Sequence, residues 1–377
     1  MIALGRELAR RGHAVTLQTW TRWQADVEAQ GMTFAPAPEY PVFPTAQRPL
    51  SPYEAVERAT RDTRPLVCAV APDVVVADIL TLAPALAAEL EGVPVATLIP
   101  HVDPRVPAGG APYSSGARLP RTAAGRVLWR GADPLMRRGL ALGRRELNAT
   151  RERLGLAALE HVHGGISRRL CLVATFPQLE YPRAWPANTH VVGPLLWEPD
   201  SQAVELPGGE GPLVLVAPST SQDAEHHLLR AGLEGLATLD VRVLATWNRR
   251  MPDPPLRIPA SARVVEWLSY ARAMPACDVV ICHGGHGTVV RALACGCAVV
   301  AVPAAGDMNE NAARIEWAGV GVRLPRRMVG PRGVALAVGR ALARPRLRER
   351  ARTLSAWASV NDGASRAADH LEAIGPR

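Results

Sequence analysis

The chain has 377 residues, of which 48% are hydrophobic and 21% charged, so it is too apolar for a disordered protein and long enough for about two domains of roughly 150 residues. The net charge is +8 and all 43 basic residues are arginine. The one dense basic cluster, at 344–352, is typical of a solvated helix end, so we expect no nucleic-acid partner.

No segment predicts a membrane span. The uncharged stretch from Ala292 to Gly306 has 15 residues and contains Pro303, whereas a spanning helix needs about 20 apolar residues. At the N-terminus, Arg6 and Arg10 stand where a secretion signal would need an apolar run. We therefore expect a cytoplasmic protein.

The predicted elements alternate between short apolar strands and longer helices. A first helix over 3–13, ending near Gly12, precedes strands at 14–20, 74–78, 93–100, 212–218, 241–247, 278–283 and 297–303. Helical spacing of apolar residues over 83–91 and 288–294 ends at Gly92 and Gly296. Unbroken apolar strands are typical of parallel sheets covered by helices on both faces. The predicted fold class is α/β, with two Rossmann-like domains facing each other.

A run rich in proline and glycine at 193–212 predicts the boundary between these domains. The domains would cover 1–196 and 212–377, with a linker at 197–211 and the last helix packing back on the first domain. Ligands of such sheets bind at the carboxyl ends of the strands, so we expect the site between the domains. Two long segments rich in proline and glycine, 35–52 and 102–121, are expected to be functional loops.

The segment 278–296 predicts an anion site. It has the pattern of a strand, a glycine turn and a helix, with His283, Gly284, Gly285, Gly287 and Thr288 at the turn. Glycines allow the backbone to approach a ligand closely, and the helix start offers unpaired N–H groups. An ordinary turn in an α/β protein can have the same pattern, so the motif alone leaves a structural role open.

Residues 262–324 closely resemble the donor-binding region of family 1 glycosyltransferases, especially the actinobacterial enzymes of natural-product pathways. Segments 74–98, 147–156, 190–199 and 212–223 are also similar to that family. The resemblance implies a GT-B fold, with an N-terminal acceptor domain and a C-terminal donor domain. It implies an inverting transfer from a TDP- or UDP-sugar to a hydroxyl of a small aglycone, without cofactor or catalytic metal. A homodimer is compatible with it, and the sugar and the acceptor stay open.

The resemblance also assigns donor-binding roles. Trp267 and Leu268 would bind the base, and Asp307 and Asn311 the sugar. The diphosphate would be held by His283, by the glycine turn, and by two residues after a neighbouring strand: Gly284, Gly285, Gly287, Thr288, Ser219 and Thr220. Two structural alternatives stay open. Trp267 can be a core residue, and Asp307 can be a helix N-cap with Glu310 as its partner.

A zinc site is a further alternative at the glycine turn. His283, His286, Cys295 and Cys297 are ligand types, but their spacing fits no usual zinc site. We therefore interpret the cysteines as packing residues and expect no metal.

On the acceptor side, Asp78 matches the aspartate that orients the family's catalytic histidine. Its alternative role is to cap a helix starting near Thr81. His101 and Tyr113 are candidate acceptor-binding residues, and His283 would also stabilise the charge that develops on the leaving diphosphate.

The catalytic histidine itself is missing from this sequence. Family members open with a strand and a loop that carries this histidine, whereas Met1 lies in the helix that follows. We expect an upstream start that encodes this strand, which would occupy the middle of the first sheet. The alternative is a catalytically inactive nucleotide-sugar-binding or helper protein.

Overall fold

A computed structural model of the chain describes residues 1–40, 51–161, 163–201, 204–219, 223, 225–304 and 306–375. Its helices are α1 Ile2–Arg10, α2 Gln24–Ala29, α3 Pro52–Val70, α4 Ala83–Leu90, α5 Ala123–Arg130, α6 Asp133–Arg153, α7 His227–Leu236, α8 Tyr270–Ala273, α9 His286–Ala294, α10 Asp307–Ala318, α11 Pro331–Leu342, α12 Pro345–Val360 and α13 Gly363–Glu372. Its strands are β1 Thr16–Thr19, β2 Thr33–Pro36, β3 Val75–Asp78, β4 Val95–Ile99, β5 Leu170–Val173, β6 Thr189–Val191, β7 Leu213–Ala217, β8 Arg242–Thr246, β9 Ala262–Val265, β10 Val279–Cys282, β11 Ala298–Ala301 and β12 Gly321–Arg323.

The C-terminal half is built on a six-stranded sheet in the order β12-β11-β10-β7-β8-β9. All of its pairs are parallel. The central strands β7, β10 and β11 are buried along their whole length because apolar clusters cover both faces of the sheet. The predicted α/β class is confirmed, and each of the seven predicted strands is present.

The N-terminal half contains two parallel sheets, β1-β2 and β3-β4-β5-β6. In the described ranges, no strand pairs with the edge of β1 opposite β2 or with the edge of β3 opposite β4. Both sheets therefore have an open edge. An open edge leaves a row of backbone donors and acceptors without ladder partners.

The chain returns to its N-terminal half at its end. Ala367, Ala368 and Leu371 of α13 share an apolar cluster with Leu4 of α1 and Ala96 of β4. Along the described part of 192–212, between β6 and β7, there is no helix or strand. The carboxyl ends of β5 and β10 lie close to one another, because Ala174, which follows β5, contacts His286 at the start of α9.

Candidate functional site

The glycine turn between β10 and α9 contains two glycines that the fold does not require. Gly284 has φ +79°, and a Cβ there would lie 3.1 Å from the carbonyl oxygen of Met308. The backbone conformation and the packing therefore both require glycine at this position. Gly285 and Gly287 have no positive φ, and a Cβ on either would meet nothing within 4 Å. Open space therefore lies in front of both glycines.

The first turn of α9 faces this space. Hydrogen bonding of the helix begins when the Val289 amide donates to the Gly285 carbonyl at 3.1 Å. The amides of His286, Gly287 and Thr288 precede that bond and have no carbonyl four residues back within the helix. They lie at the positive end of the helix dipole, so the turn is suited to an anion.

His283, directly before the turn, has one ring nitrogen committed to the backbone. Nδ1 lies 3.0 Å from the carbonyl oxygen of Val302, which can only accept, so Nδ1 carries a proton. Nε2 lies 3.7 Å from Oδ2 of Asp223. Burial raises the pKa of the Asp223 carboxyl, but the neighbouring His283 outweighs this, and the pKa lies below its usual value.

A cavity of about 640 Å³ opens beside this pair. Its walls include both Asp223 and His283, and also Arg230 of α7 and Arg326, which lies before α11. Ser219 follows β7. Thr220 lies outside the described residues, so its predicted contact with the diphosphate stays a prediction.

His286, the first residue of α9, joins the two halves of the chain. Its Nε2 lies 3.2 Å from the carbonyl oxygen of Ala174, which follows β5. Burial lowers its pKa to about 4. The ring is therefore neutral at physiological pH, with Nε2–H donating across the boundary.

The start of α10 lies against the glycine turn. Gly306 precedes the helix with no side-chain cap, and Asp307 is in the first turn, so the N-cap interpretation of Asp307 is wrong. The Glu310 carboxylate accepts from Arg314 Nε at 2.7 Å and from the Ser114 amide at 3.2 Å instead. The buried Asn311 donates from Nδ2 to the Gly284 carbonyl at 2.9 Å and so holds the turn against α10.

The candidate acceptor residues lie beside α10. Nδ1 of His101, which follows β4, is 2.7 Å from the carbonyl oxygen of Val102 and 3.5 Å from the Tyr113 hydroxyl. Burial raises the pKa of Tyr113, and the carboxylates of Asp307 and Glu310 raise it further. The structure thus brings His101 and Tyr113 from the N-terminal half close to Asp307.

Asp78 ends β3 at the carboxyl edge of its sheet. Its Oδ1 accepts from the Leu80 amide at 2.8 Å, while α4 begins at Ala83 without a side-chain cap, so the capping interpretation of Asp78 is wrong. Burial lowers the pKa of the Met1 amino group, and the nearby Asp78 carboxylate opposes this. A cavity of about 690 Å³ opens on this side. It is lined by residues that follow β1, β2 and β3 and by residues of α3 and α4, which include Trp20, Tyr40, Ala55, Leu80 and Ala83.

Trp267 is not a core residue. It is partly exposed, and the guanidinium of Arg249 lies 5.2 Å from its ring centroid, whereas the neighbouring Leu268 is buried in the core. Arg249 was missed by the sequence analysis and carries no motif. Glu198 was also missed, although it lies in the family-like segment 190–199. Its carboxylate accepts from the Ser269 hydroxyl and from the amides of Tyr270 and Ala271, which anchors the loop after Trp267.

A buried ion network joins the two halves behind the site. Arg314 of α10 is 2% exposed and contacts Glu310 at 2.7 Å and Glu180 at 3.0 Å. Glu180 lies in the N-terminal half, where it also accepts from Arg183 at 2.9 Å and from the Asp103 amide at 2.7 Å. The helix that begins with Asp307 is therefore fixed to the N-terminal half by charges shielded from water.

Within the described ranges, no three His, Cys, Asp or Glu side chains form a group that could hold a metal ion. None of the helices in this part of the chain is long and apolar enough to cross a membrane.

Known proteins resemble the chain over nearly its whole length. Residues 230–373 match the family described as erythromycin biosynthesis protein CIII-like, C-terminal domain. The chain is 28% identical to 4'-demethylrebeccamycin synthase of Lentzea aerocolonigenes, over 99% of this chain and 96% of that protein. It is 31% identical to a PGL/p-HBAD biosynthesis glycosyltransferase of Mycobacterium tuberculosis, over 78% of this chain and 68% of that protein.

Solved structures share the fold. The calicheamicin glycosyltransferase CalG4 has a TM-score of 0.75 and 22% sequence identity to this chain. The superposition covers 99% of this chain and 94% of CalG4. The glycosyltransferase of kitacinnamycin has a TM-score of 0.76 at 22% identity, over 100% and 95% of the two chains. The predicted arrangement of two Rossmann-like domains is the fold of these neighbours.

Proposed function

The chain belongs to the family 1 glycosyltransferases of GT-B fold, and we propose that it transfers a sugar from a TDP- or UDP-sugar to a hydroxyl of a small natural-product aglycone. The names of its relatives support this substrate class, since they include 4'-demethylrebeccamycin synthase and the calicheamicin glycosyltransferase. A further structural neighbour, the glycosyltransferase VinC, was solved in complex with DTDP. Residues 1–196 would bind the acceptor and residues 212–377 the donor, with 197–211 as the linker.

The observation that carries the proposal is the space in front of Gly285 and Gly287. Neither glycine is needed by backbone geometry or packing, yet both lie where the first-turn amides of α9 point outward. A diphosphate placed there would accept hydrogen bonds from these amides. His283 Nε2 would donate to it as well, once it carries a proton.

With the diphosphate at this turn, the other contacts of the nucleotide-sugar follow. The base would stack on the indole of Trp267, with Arg249 on the opposite face of the ring. The Asp307 carboxylate would accept from sugar hydroxyls. Asn311 would act through the turn, because its amide donor is already bonded to Gly284.

The proposed reaction inverts the anomeric carbon. The acceptor oxygen attacks that carbon, its proton passes to a base, and the bond to the β-phosphate oxygen breaks with its electron pair leaving on the diphosphate. The amides of α9 and the ring of His283 would stabilise that charge as it develops. These hydrogen-bond donors would stabilise the negative charge that a metal cation would otherwise neutralise, so we propose a reaction that needs no metal.

We further propose that the base is a histidine oriented by Asp78 and carried by a strand between β1 and β3. The open edges of these two strands support this placement, because one parallel strand between them would join both sheets. The loop after such a strand would reach the carboxyl edge of the sheet, where Asp78 lies.

A second candidate function is a nucleotide-sugar-binding helper without turnover. It is favoured by one observation: within the described ranges, no histidine is hydrogen-bonded to Asp78. The two functions share the donor site and differ only in the presence of a base.

One experiment separates them. This chain and an upstream-extended version are each incubated with dTDP-glucose or UDP-glucose and a mixture of phenolic and macrolide acceptors, in parallel with and without EDTA. We expect β-linked product from the extended version alone, and its loss in Asp78→Asn but not in the exposed control Asp73→Asn. Donor binding by both versions without any product would favour the helper, and loss of activity with EDTA would contradict metal independence.

A further inference from the structure

A pair of helices in the N-terminal half has no fully buried residue along most of its length. We call residues 121–145, which include α5 and the first part of α6, the helical arm. Only Gly131 and Ala132 connect its two helices. α5 has no buried residue, and the buried residues of α6 begin at Leu147, beyond the arm. No residue of the arm is therefore buried.

The arm nevertheless carries large apolar side chains. Val127 and Leu128 on α5 are 62% and 76% exposed, and Leu135 and Leu142 on α6 are 74% and 49% exposed. Leu135 and Leu142 are seven residues apart and so share one helix face. A helix of a globular protein normally turns such a face to the core, so an apolar helix face that nothing covers is typical of an interaction site.

The arm also concentrates positive charge. It contains one acidic residue, Asp133, and seven arginines: Arg121, Arg126, Arg130, Arg137, Arg138, Arg144 and Arg145. Its net charge of +6 compares with +8 for the whole chain. None of the seven arginines forms a salt bridge with a described residue; Arg126 and Arg144 contact backbone carbonyls only. This charge is therefore available to a partner.

We propose that the helical arm docks on the surface of an anionic lipid bilayer. Val127, Leu128, Leu135 and Leu142 would enter the boundary between headgroups and acyl chains, and the arginines would contact lipid phosphates. Exposed apolar residues flanked by arginine on short helices are the pattern of helices that lie in the plane of a membrane. A second copy of the chain fits poorly, because two surfaces of charge +6 would face each other.

The position of the arm gives this docking a consequence for the acceptor. The arm directly follows the loop that carries Tyr113, and the Tyr53 hydroxyl of α3 donates to the Gly143 carbonyl within the arm at 3.3 Å. A docked arm would therefore hold the acceptor side close to the lipid. That consequence rests on the proposed function, whereas the docking itself does not.

The test is cosedimentation with vesicles of phosphatidylcholine alone or with about 30% phosphatidylglycerol. We expect at least roughly tenfold stronger association with the anionic vesicles, and a steep loss as salt is raised. Leu128→Ser with Leu135→Ser, and separately Arg137→Gln with Arg138→Gln, should each reduce association at least about fivefold. All four side chains are exposed, and circular dichroism would verify that the variants stay folded.

Matched controls lie elsewhere on the surface. Leu336 of α11 is 73% exposed, compared with 74% for Leu135, and Arg346 of α12 is an exposed arginine in the basic cluster at 344–352. Leu336→Ser and Arg346→Gln should leave vesicle association unchanged. Equal binding to neutral and anionic vesicles, or no binding to either, would overturn the proposal. So would a dimer in analytical ultracentrifugation that the Leu128→Ser, Leu135→Ser variant abolishes, or specific capture of an acidic protein through the arm without lipid binding.

Discussion

Replacing Gly287 by alanine should move stability and nucleotide binding in opposite directions. Gly287 is the second residue of α9, has no positive φ, and has open space where a Cβ would lie. Alanine in a helix is favoured over glycine by about 0.5–1 kcal/mol, so the free energy of unfolding should rise by up to that amount. If Gly287 served only the fold, this change would leave nucleotide binding unaffected.

The cost should appear in nucleotide binding. The added methyl group would occupy the space that we assign to the diphosphate and would lengthen hydrogen bonds from the first-turn amides. Each charge-assisted hydrogen bond contributes about 1.5–3 kcal/mol, so losing one weakens binding of dTDP or UDP by roughly tenfold or more.

The assays are urea denaturation and isothermal titration calorimetry with dTDP and UDP. Gly339→Ala is the matched control, because Gly339 also lies within a helix, α11, with nothing within 4 Å of a built Cβ. Both variants should gain stability, and only Gly287→Ala should lose affinity. If Gly287→Ala binds both nucleotides as the parent chain does, the assignment of the diphosphate to this turn is refuted.

Three further predictions concern the residues around the turn. Arg314→Met should cost about 3–5 kcal/mol of unfolding free energy in urea, since it leaves the buried Glu310 without an ion-pair partner and leaves Glu180 with Arg183 alone. A cost below about 1 kcal/mol would contradict a stabilising network. Burial lowers the pKa of His286 in the folded state to about 4, against about 6.5 in the unfolded state. The neutral ring therefore contributes fully to the free energy of unfolding above pH 6.5, and this contribution is lost as the pH falls toward 4. That loss amounts to about 3 kcal/mol, and in His286→Gln the free energy of unfolding should change less between pH 6.5 and 4. If the pH dependence of unfolding is the same in the variant, His286 is not a neutral buried ring. Trp267→Leu should raise the KM for the donor about tenfold with little change in kcat, and an unchanged KM would rule out base stacking.

The sequence predicted the four inner strands of the C-terminal sheet, β7, β8, β10 and β11, because they are buried almost completely. The two edge strands, β9 and β12, were not predicted, and β9 is only partly buried. Val279–Cys282 and Ala298–Ala301 are unbroken apolar runs bounded by turn residues, and this pattern needs no knowledge of distant contacts. The helix after the glycine turn was predicted two residues short, since its first residues, His286 and Gly287, interrupt the apolar spacing. Element ends depend on capping more than on periodicity.

Features that depend on distant partners, or on apolar residues that stay exposed, could not be predicted from the sequence. Glu310 and Arg314 have the spacing of an ordinary exposed helix pair, and their burial follows only from Glu180, which is 134 residues away from Arg314. The helical arm gave no clear prediction because its apolar residues face solvent instead of a core. Arg249 reaches Trp267 from a turn with φ +63°, which no local pattern indicated.

The most direct test of the account is a crystal structure of the chain with dTDP or UDP bound. We predict that the β-phosphate lies within hydrogen-bond distance of the amides of Gly287 and Thr288, with His283 Nε2 donating to the same diphosphate and the base against Trp267. A diphosphate bound elsewhere, with ordered solvent in front of Gly285 and Gly287, would contradict the central claim.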